Sequence, residues 1–204
     1  MGFYTEVLFP WGMDLTMSGD AFSQLRKQVL SEAKGEVLEI GFGTGLNLPH
    51  YPPTVQHITT VDPNPGMNRY AKQQIAKSSI DVDRNVLSSE ALPMADNRFD
   101  TVVSTWTLCS IKQIEKALSE VKRVLKHGGQ FIFLEHGLSD EPNVQKWQHR
   151  LNPIQNVVGD GCHVNRDMRA LIEACGFSSL NIENFYMNKA PKFIGYLYKG
   201  VAIK

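Results

Sequence analysis

The residues best placed to do chemistry are the run Glu39-Ile40-Gly41-Phe42-Gly43-Thr44-Gly45 and the acid Asp62, about 20 residues on. Glycines without Cβ atoms let a backbone turn tightly and close on a ligand at van der Waals distance. Such a loop carries meaning where it leaves a strand and opens a helix. Here it follows the strand-like Glu36–Ile40 and precedes a short helical stretch, Leu46–Tyr51. A pyrophosphate-binding loop would carry a further glycine where Leu46 stands, so the spacing is Gly-x-Gly-x-Gly with an acid in front. Taken alone, Asp62-Pro63 reads as a turn initiator. Coupled to the glycine loop at this spacing, Asp62 reads as the acceptor of hydrogen bonds from both hydroxyls of a ribose. S-Adenosylmethionine has no pyrophosphate and carries an amino-acid ammonium that Glu39, or a water on it, could meet, so this spacing is compatible with it.

These residues need strands to end beneath them, and the chain alternates strand-like and helix-like segments, the pattern of a largely parallel sheet covered by helices. Apolar residues at helical spacing (Ala21, Phe22, Leu25, Val29, Leu30) predict a helix over about Ser18–Ala33, capped by Ser18 or Asp20. Strands are expected at Glu36–Ile40, Gln56–Val61, Ile80–Leu87, Phe99–Thr105 and Gln130–Glu135, and helices at Gly66–Lys77 and Ile111–Leu125. Lys122, Arg123 and Lys126 followed by Gly128-Gly129 form the stop signal of the second of these helices. Further helices are expected near Asn143–Leu151 and Asn165–Ala174, then strands at Ser179–Tyr186 and Phe193–Ala202. The fold class is α/β: a Rossmann-like, seven-stranded, mostly parallel sheet with helices on both faces and the last strand antiparallel. One domain over 1–204 is expected, with a helical cap at 1–34, a cofactor-binding half at 35–136 and a substrate-side half at 137–204.

Bulk properties narrow the partners. A chain of 204 residues, 42% hydrophobic and 21% charged, suits one soluble globular domain. Lys plus Arg equals Asp plus Glu at 21 each, without the basic surplus typical of a nucleic-acid binder, so nucleic acid is not the expected partner. No apolar run reaches membrane-spanning length, and Met1–Asp20 lacks the basic start of a secretory signal. Cys109, Cys162 and Cys175 are odd in number and widely spaced. Neither a disulfide framework nor a zinc site is expected, and a reducing, cytoplasmic setting is. No metal is expected. Nothing in the pattern marks a pairing surface, so the oligomeric state stays open.

At this point the sequence resembles a known family. The loop Leu38–Gly45, Val61-Asp62-Pro63-Asn64, Glu90-Ala91-Leu92-Pro93, Phe99-Asp100 and Val124-Leu125-Lys126-His127-Gly128-Gly129 are similar to the successive motifs of class I S-adenosylmethionine-dependent methyltransferases, in the branch of the ubiquinone and menaquinone C-methyltransferases. A narrower resemblance, to the methyltransferase-like family whose animal members are membrane-anchored thiol S-methyltransferases, covers nearly the whole chain. Phe9-Pro10, Met13-Asp14, Met17-Ser18, Tyr51-Pro52-Pro53, Asp62-Pro63-Asn64-Pro65, Leu108-Cys109-Ser110, Glu135-His136 and Asp160-Gly161-Cys162 carry it. The hydrophobic anchor of those animal proteins has no counterpart here, so no stable membrane anchor is expected. The resemblance implies S-adenosylmethionine held by Glu39, Gly41, Gly43, Gly45, Asp62, Pro63, Ser89, Glu90 and Thr105. Serine stands at Ser88-Ser89 where the family commonly has aspartate, so contacts to the adenine from either serine are expected.

Acceptor groups should lie at the carboxyl ends of the strands. That points to Thr107–Ser110, to Glu135-His136, and to Asp160, Cys162 and His163 in a glycine-rich loop. His136, Asp160 and His163 are the candidate catalytic residues, His136 or Asp160 assisting deprotonation of a thiol; lone histidines are more often structural. Phe3-Tyr4 and Phe9-Pro10-Trp11 could form an aromatic lid, or be a helix glued to the core. Trp106 could face ligand or core, and Cys109 reads as packing. Three functions follow: methylation of a small-molecule nucleophile, a thiol favoured through the resemblance; C- or N-methylation of a quinone precursor or phospholipid head group; and a non-catalytic cofactor-binding subunit, against which the intact Glu39, glycine loop and Asp62 argue.

Overall fold

The computed structural model describes residues 2–204. Its centre is a seven-stranded sheet in which β1 (Val37–Ile40) lies between β2 (His57–Val61) and β4 (Phe99–Thr105). β3 (Asp81–Asn85) is the edge beyond β2, and β5 (Leu125–His136) lies beyond β4. These five run parallel. β7 (Tyr196–Ile203) pairs antiparallel with both β5 and the other edge strand, β6 (Ser179–Tyr186). The chain leaves β1 in one direction for β2 and β3 and returns on its other side for β4. The carboxyl ends of β1 and β4 therefore border the crevice where such sheets bind ligands.

Both faces are covered, and side-chain alternation sorts residues between them. Leu38, Ile40, Val102, Phe131 and Phe133 pack towards α4 (Ile114–Val124) and α6 (Met168–Glu173). Val37, Ile58, Val103, Ile132 and Leu134 pack towards α1 (Phe9–Met17), α2 (Asp20–Leu30) and α3 (Asn68–Ile75). This alternation also puts Glu39 and Thr105 on the α2 face, at the ends of neighbouring strands.

Several boundaries differ from the sequence reading, each for a local reason. Residues Tyr4–Leu8 form a π-helical turn running into α1, so the N-terminal aromatics belong to helix. Gly19, rather than Ser18 or Asp20, is the N-cap of α2. β5 begins at Leu125, because Gly128 (φ 73°) and Gly129 do not end the segment: Gly128 N–H donates to Lys204 O and Lys204 N–H to Gly129 O, tying it to the C-terminus. α5 (Pro142–Val158) continues through Pro153 for two turns beyond the expected stop. The last strand starts three residues late, after the helical turn α7 (Lys192–Gly195).

Candidate active site

A cavity of about 560 Å³ opens at the carboxyl ends of β1, β2 and β4. Its floor is the glycine loop. Gly41, Gly43 and Gly45 all have positive φ (73°, 56° and 84°), which explains the residue type at each. At Gly41 a Cβ would fall 2.0 Å from Thr107 Oγ1, so that glycine lets two loops pass. At Gly43 the nearest atom would be Gly41 O at 3.9 Å, so its bare Cα faces open cavity. Glycine at position 41 is demanded by protein, and at position 43 by the conformation and the space above it.

Asp62 stands across that loop. Its Oδ2 accepts from Gly43 N–H at 2.7 Å and its Oδ1 from Asn64 N–H at 2.8 Å. One carboxylate thus sets the loop's height while each oxygen keeps a further acceptor site. Burial pushes its pKa up, against those two N–H bonds. Pro63, Ser88, Ser89, Glu90 and Thr105 also line the cavity. The Glu90 carboxylate is engaged, accepting from Gln113 N–H at 2.9 Å and from its side-chain amide at 3.3 Å. It ties this wall to the start of α4.

Glu39 is the buried charge of the floor. Asn47 Nδ2 donates to its Oε1 at 2.8 Å and Tyr51 Oη to its Oε2 at 2.7 Å. The same Asn47 nitrogen lies 3.0 Å from Thr105 Oγ1, joining the ends of β1 and β4. Full burial raises Glu39 to about 7, opposed by these hydrogen bonds and by the charge of Arg26. Trp106, the next residue after β4, has φ 49°, an uncommon conformation for a bulky side chain. The turn lays its indole on the α2 face, edge-on to Phe22 at 5.3 Å, where it walls the cavity.

The remaining sequence candidates divide. Asp160, at φ 47°, lines the cavity and accepts from Thr5 Oγ1 at 3.1 Å. His163 does not line it; its two ring nitrogens each meet a side-chain amide at 3.0 Å, from Asn152 and Asn156 on α5. His136 also lies off the wall, and burial lowers its pKa to about 4. Glu135 is fully buried: its Oε1 accepts from Ser104 Oγ at 2.7 Å and Thr107 N–H at 3.1 Å, so it anchors the loop after β4. Cys109 is buried in the core beside Cys162. Asn47, Tyr51 and Arg26 went unremarked in the sequence as site residues. Asn47 had a signal, standing two places beyond Gly45; Arg26 had none, being one more polar position of an amphipathic helix.

The set fits S-adenosylmethionine: an acid with spare acceptor sites, a loop whose middle glycine leaves open space, and a buried carboxylate for a cation. Fold and cavity together define a class I S-adenosylmethionine-dependent methyltransferase. The family model described as "Methyltransferase domain" matches residues 38–133. The thiol S-methyltransferase TMT1B of Rattus norvegicus is 36% identical over 169 residues, covering 80% of this chain and 68% of that protein. TMT1A of Homo sapiens is 32% identical over 189 residues, with 91% and 77% covered. A solved S-adenosylmethionine-dependent methyltransferase from Thermotoga maritima superposes with a TM-score of 0.70 at 18% identity, covering 98% of each chain. The chain belongs to the methyltransferase family that holds these thiol S-methyltransferases.

Proposed function

We propose that this methyltransferase acts on a small apolar thiol. The observation that carries the reading is the apolar part of the cavity lining. Phe9, Met13 and Met17 of α1 and Trp106 supply it, and Asp160 is a carboxylate of the same cavity. The names of the similar proteins support a thiol over other apolar nucleophiles.

In this reading Asp62 takes the ribose hydroxyls, Gly43 leaves room beside them, Ser88 and Ser89 border the adenine, and Glu39 with Thr105 faces the amino-acid end. S-Adenosylmethionine supplies a methyl group on a sulfonium, whose displacement leaves a neutral thioether. The chain has therefore to align the acceptor and keep water off a dispersing positive charge. The apolar α1 wall does the second. A thiol of ordinary pKa, near 8.5, already holds a few per cent thiolate at neutral pH, so a single carboxylate suffices to take its proton. Asp160 is the sequence candidate that faces the cavity, and it takes that role.

The test is transfer of labelled methyl from S-adenosylmethionine to a panel of small thiols, quinols and ethanolamine lipids by purified protein. Turnover on apolar thiols well above the other classes is expected. Signal confined to a quinol or an amine would overturn the thiol reading and leave the cofactor site untouched.

A further inference from the structure

Arg26, on the inward face of α2, is a charged residue that the fold has buried without giving it a carboxylate. It is 5% exposed and lines the cavity beside Glu39, Asn47 and Trp106. One of its five N–H donors is used: Nη1 donates to Met17 O at 2.7 Å. Its Cζ lies 5.0 Å from the Trp106 ring centroid, a cation–π contact that helps hold the guanidinium in place. Among the described residues it makes no ion pair within 4.0 Å. Its remaining nitrogens are also absent from the sealed, unpartnered polar atoms of the interior, so they open on the cavity.

A buried guanidinium is tolerated when an anion meets it. Glu39 is too far for a direct pair and is held in place by Asn47 and Tyr51, each of its oxygens keeping one further acceptor site. Lys112, the other cation of the wall, is exposed and sits on the loop after β4. The amino-acid end of the cavity thus presents a negative group and, beside it, a positive one. A zwitterion's ammonium and carboxylate need that pair. We propose that Arg26 binds the carboxylate of S-adenosylmethionine, so that Glu39 and Arg26 together read the amino-acid end of the cofactor, with the Trp106 indole backing the guanidinium.

The test is equilibrium binding by titration calorimetry, which needs no methyl acceptor. The ligands are S-adenosylhomocysteine, which keeps the carboxylate; decarboxylated S-adenosylmethionine, which lacks it; and 5′-methylthioadenosine, which lacks the whole tail. Arg26→Met should weaken S-adenosylhomocysteine about 10- to 100-fold, the scale of a lost charge-assisted hydrogen bond. It should change methylthioadenosine by less than about threefold on the same grounds, and Arg26→Lys should recover part of the loss. Equal weakening of both ligands would make Arg26 a scaffold residue and overturn the proposal. So would unchanged affinity for S-adenosylhomocysteine with slower transfer to the acceptor, which would place Arg26 on the acceptor side. Should Arg26→Met fail to fold, the wild-type protein decides. It should prefer S-adenosylmethionine to its decarboxylated form at least about 10-fold, and no preference overturns the proposal. Failure of the thiol panel leaves all of these readings intact.

Discussion

Tyr51 donates its hydroxyl to Glu39 Oε2 at 2.7 Å, from a proline-flanked loop onto the carboxylate that β1 delivers to the cavity floor. Both groups are buried, so neither can exchange this bond for one to bulk water. Tyr51→Phe leaves an acceptor unsatisfied in the interior, which costs about 1–3 kcal/mol. Urea unfolding should show that loss with an unchanged m-value. Calorimetry should show weaker binding of S-adenosylmethionine, because Glu39 is freed to rotate. A variant as stable as wild type would mean that the bond contributes nothing net.

The pH dependence of stability has a computable sign. Burial raises the folded-state pKa of Glu39 and of Glu135 from 4.5 to about 7. A raised carboxyl contributes stability that is fully present below its unfolded pKa and is lost as pH rises through the folded one. His136 acts oppositely: its pKa falls from 6.5 to about 4, so its contribution is present above the unfolded value and is lost as pH falls. Below 6.5 these effects offset one another in part. Above it His136 is neutral in both states, and the two glutamates contribute a falling slope of order 1 kcal/mol per pH unit near pH 7. Denaturation midpoints from pH 6.5 to 8.5 should fall, and Glu39→Gln should remove about half of the fall. A flat profile in the wild-type protein would show that both carboxylates are ionised when folded.

The glycine loop yields a pair of substitutions with opposite consequences. Gly41→Ala places a methyl 2.0 Å from Thr107 Oγ1 at φ 73°, so loops must move and the fold weakens by more than about 2 kcal/mol. Gly43→Ala meets nothing closer than 3.9 Å and pays only the left-handed backbone strain of about 1–2 kcal/mol. Its methyl occupies cavity instead, so it should weaken S-adenosylmethionine binding by more than it weakens the fold. Thermal melts and calorimetry on the two variants check the split. Equal binding by Gly43→Ala and wild type would put the cofactor elsewhere.

These contrasts show what a sequence exposes. β1, β2 and β4 were legible because a buried strand must be apolar or alternate, Glu39 because it ends such a strand beside glycines, and Asp62 because it ends the next one at a set spacing from them. The glycines were legible because positive φ selects the residue type. Arg26 acts through where α2 comes to rest, and long-range packing leaves no local spacing to read. Asn47 and Tyr51 follow the glycine loop closely, but only the fold turns their side chains onto Glu39. The late end of α5 and the early start of β5 have the same cause. Helix α4 does stop at Val124 as its charged last turn and glycines signal, but pairing with the C-terminus draws Leu125–Gly129 into β5. The remaining helix contacts of α5 carry it through Pro153. Glu135 shows the converse: an acid at a strand's carboxyl end can be a buried anchor rather than a site group.

Asp160 offers the sharpest test of the acceptor chemistry. It sits at φ 47°, where asparagine is also at home, so Asp160→Asn removes the charge with little strain and keeps an acceptor for Thr5. If the carboxylate takes the thiol proton, turnover at pH 7 should fall by about 10²-fold, the lower end of general-base effects, with cofactor affinity unchanged. The deficit should shrink as pH approaches the thiol's own pKa, near 8.5, where solvent makes the thiolate unaided. A thiol of lower pKa should be affected less at any pH. A deficit constant across pH and across thiols would assign Asp160 to holding the Thr5 segment in place, and the acceptor would ionise without a protein base.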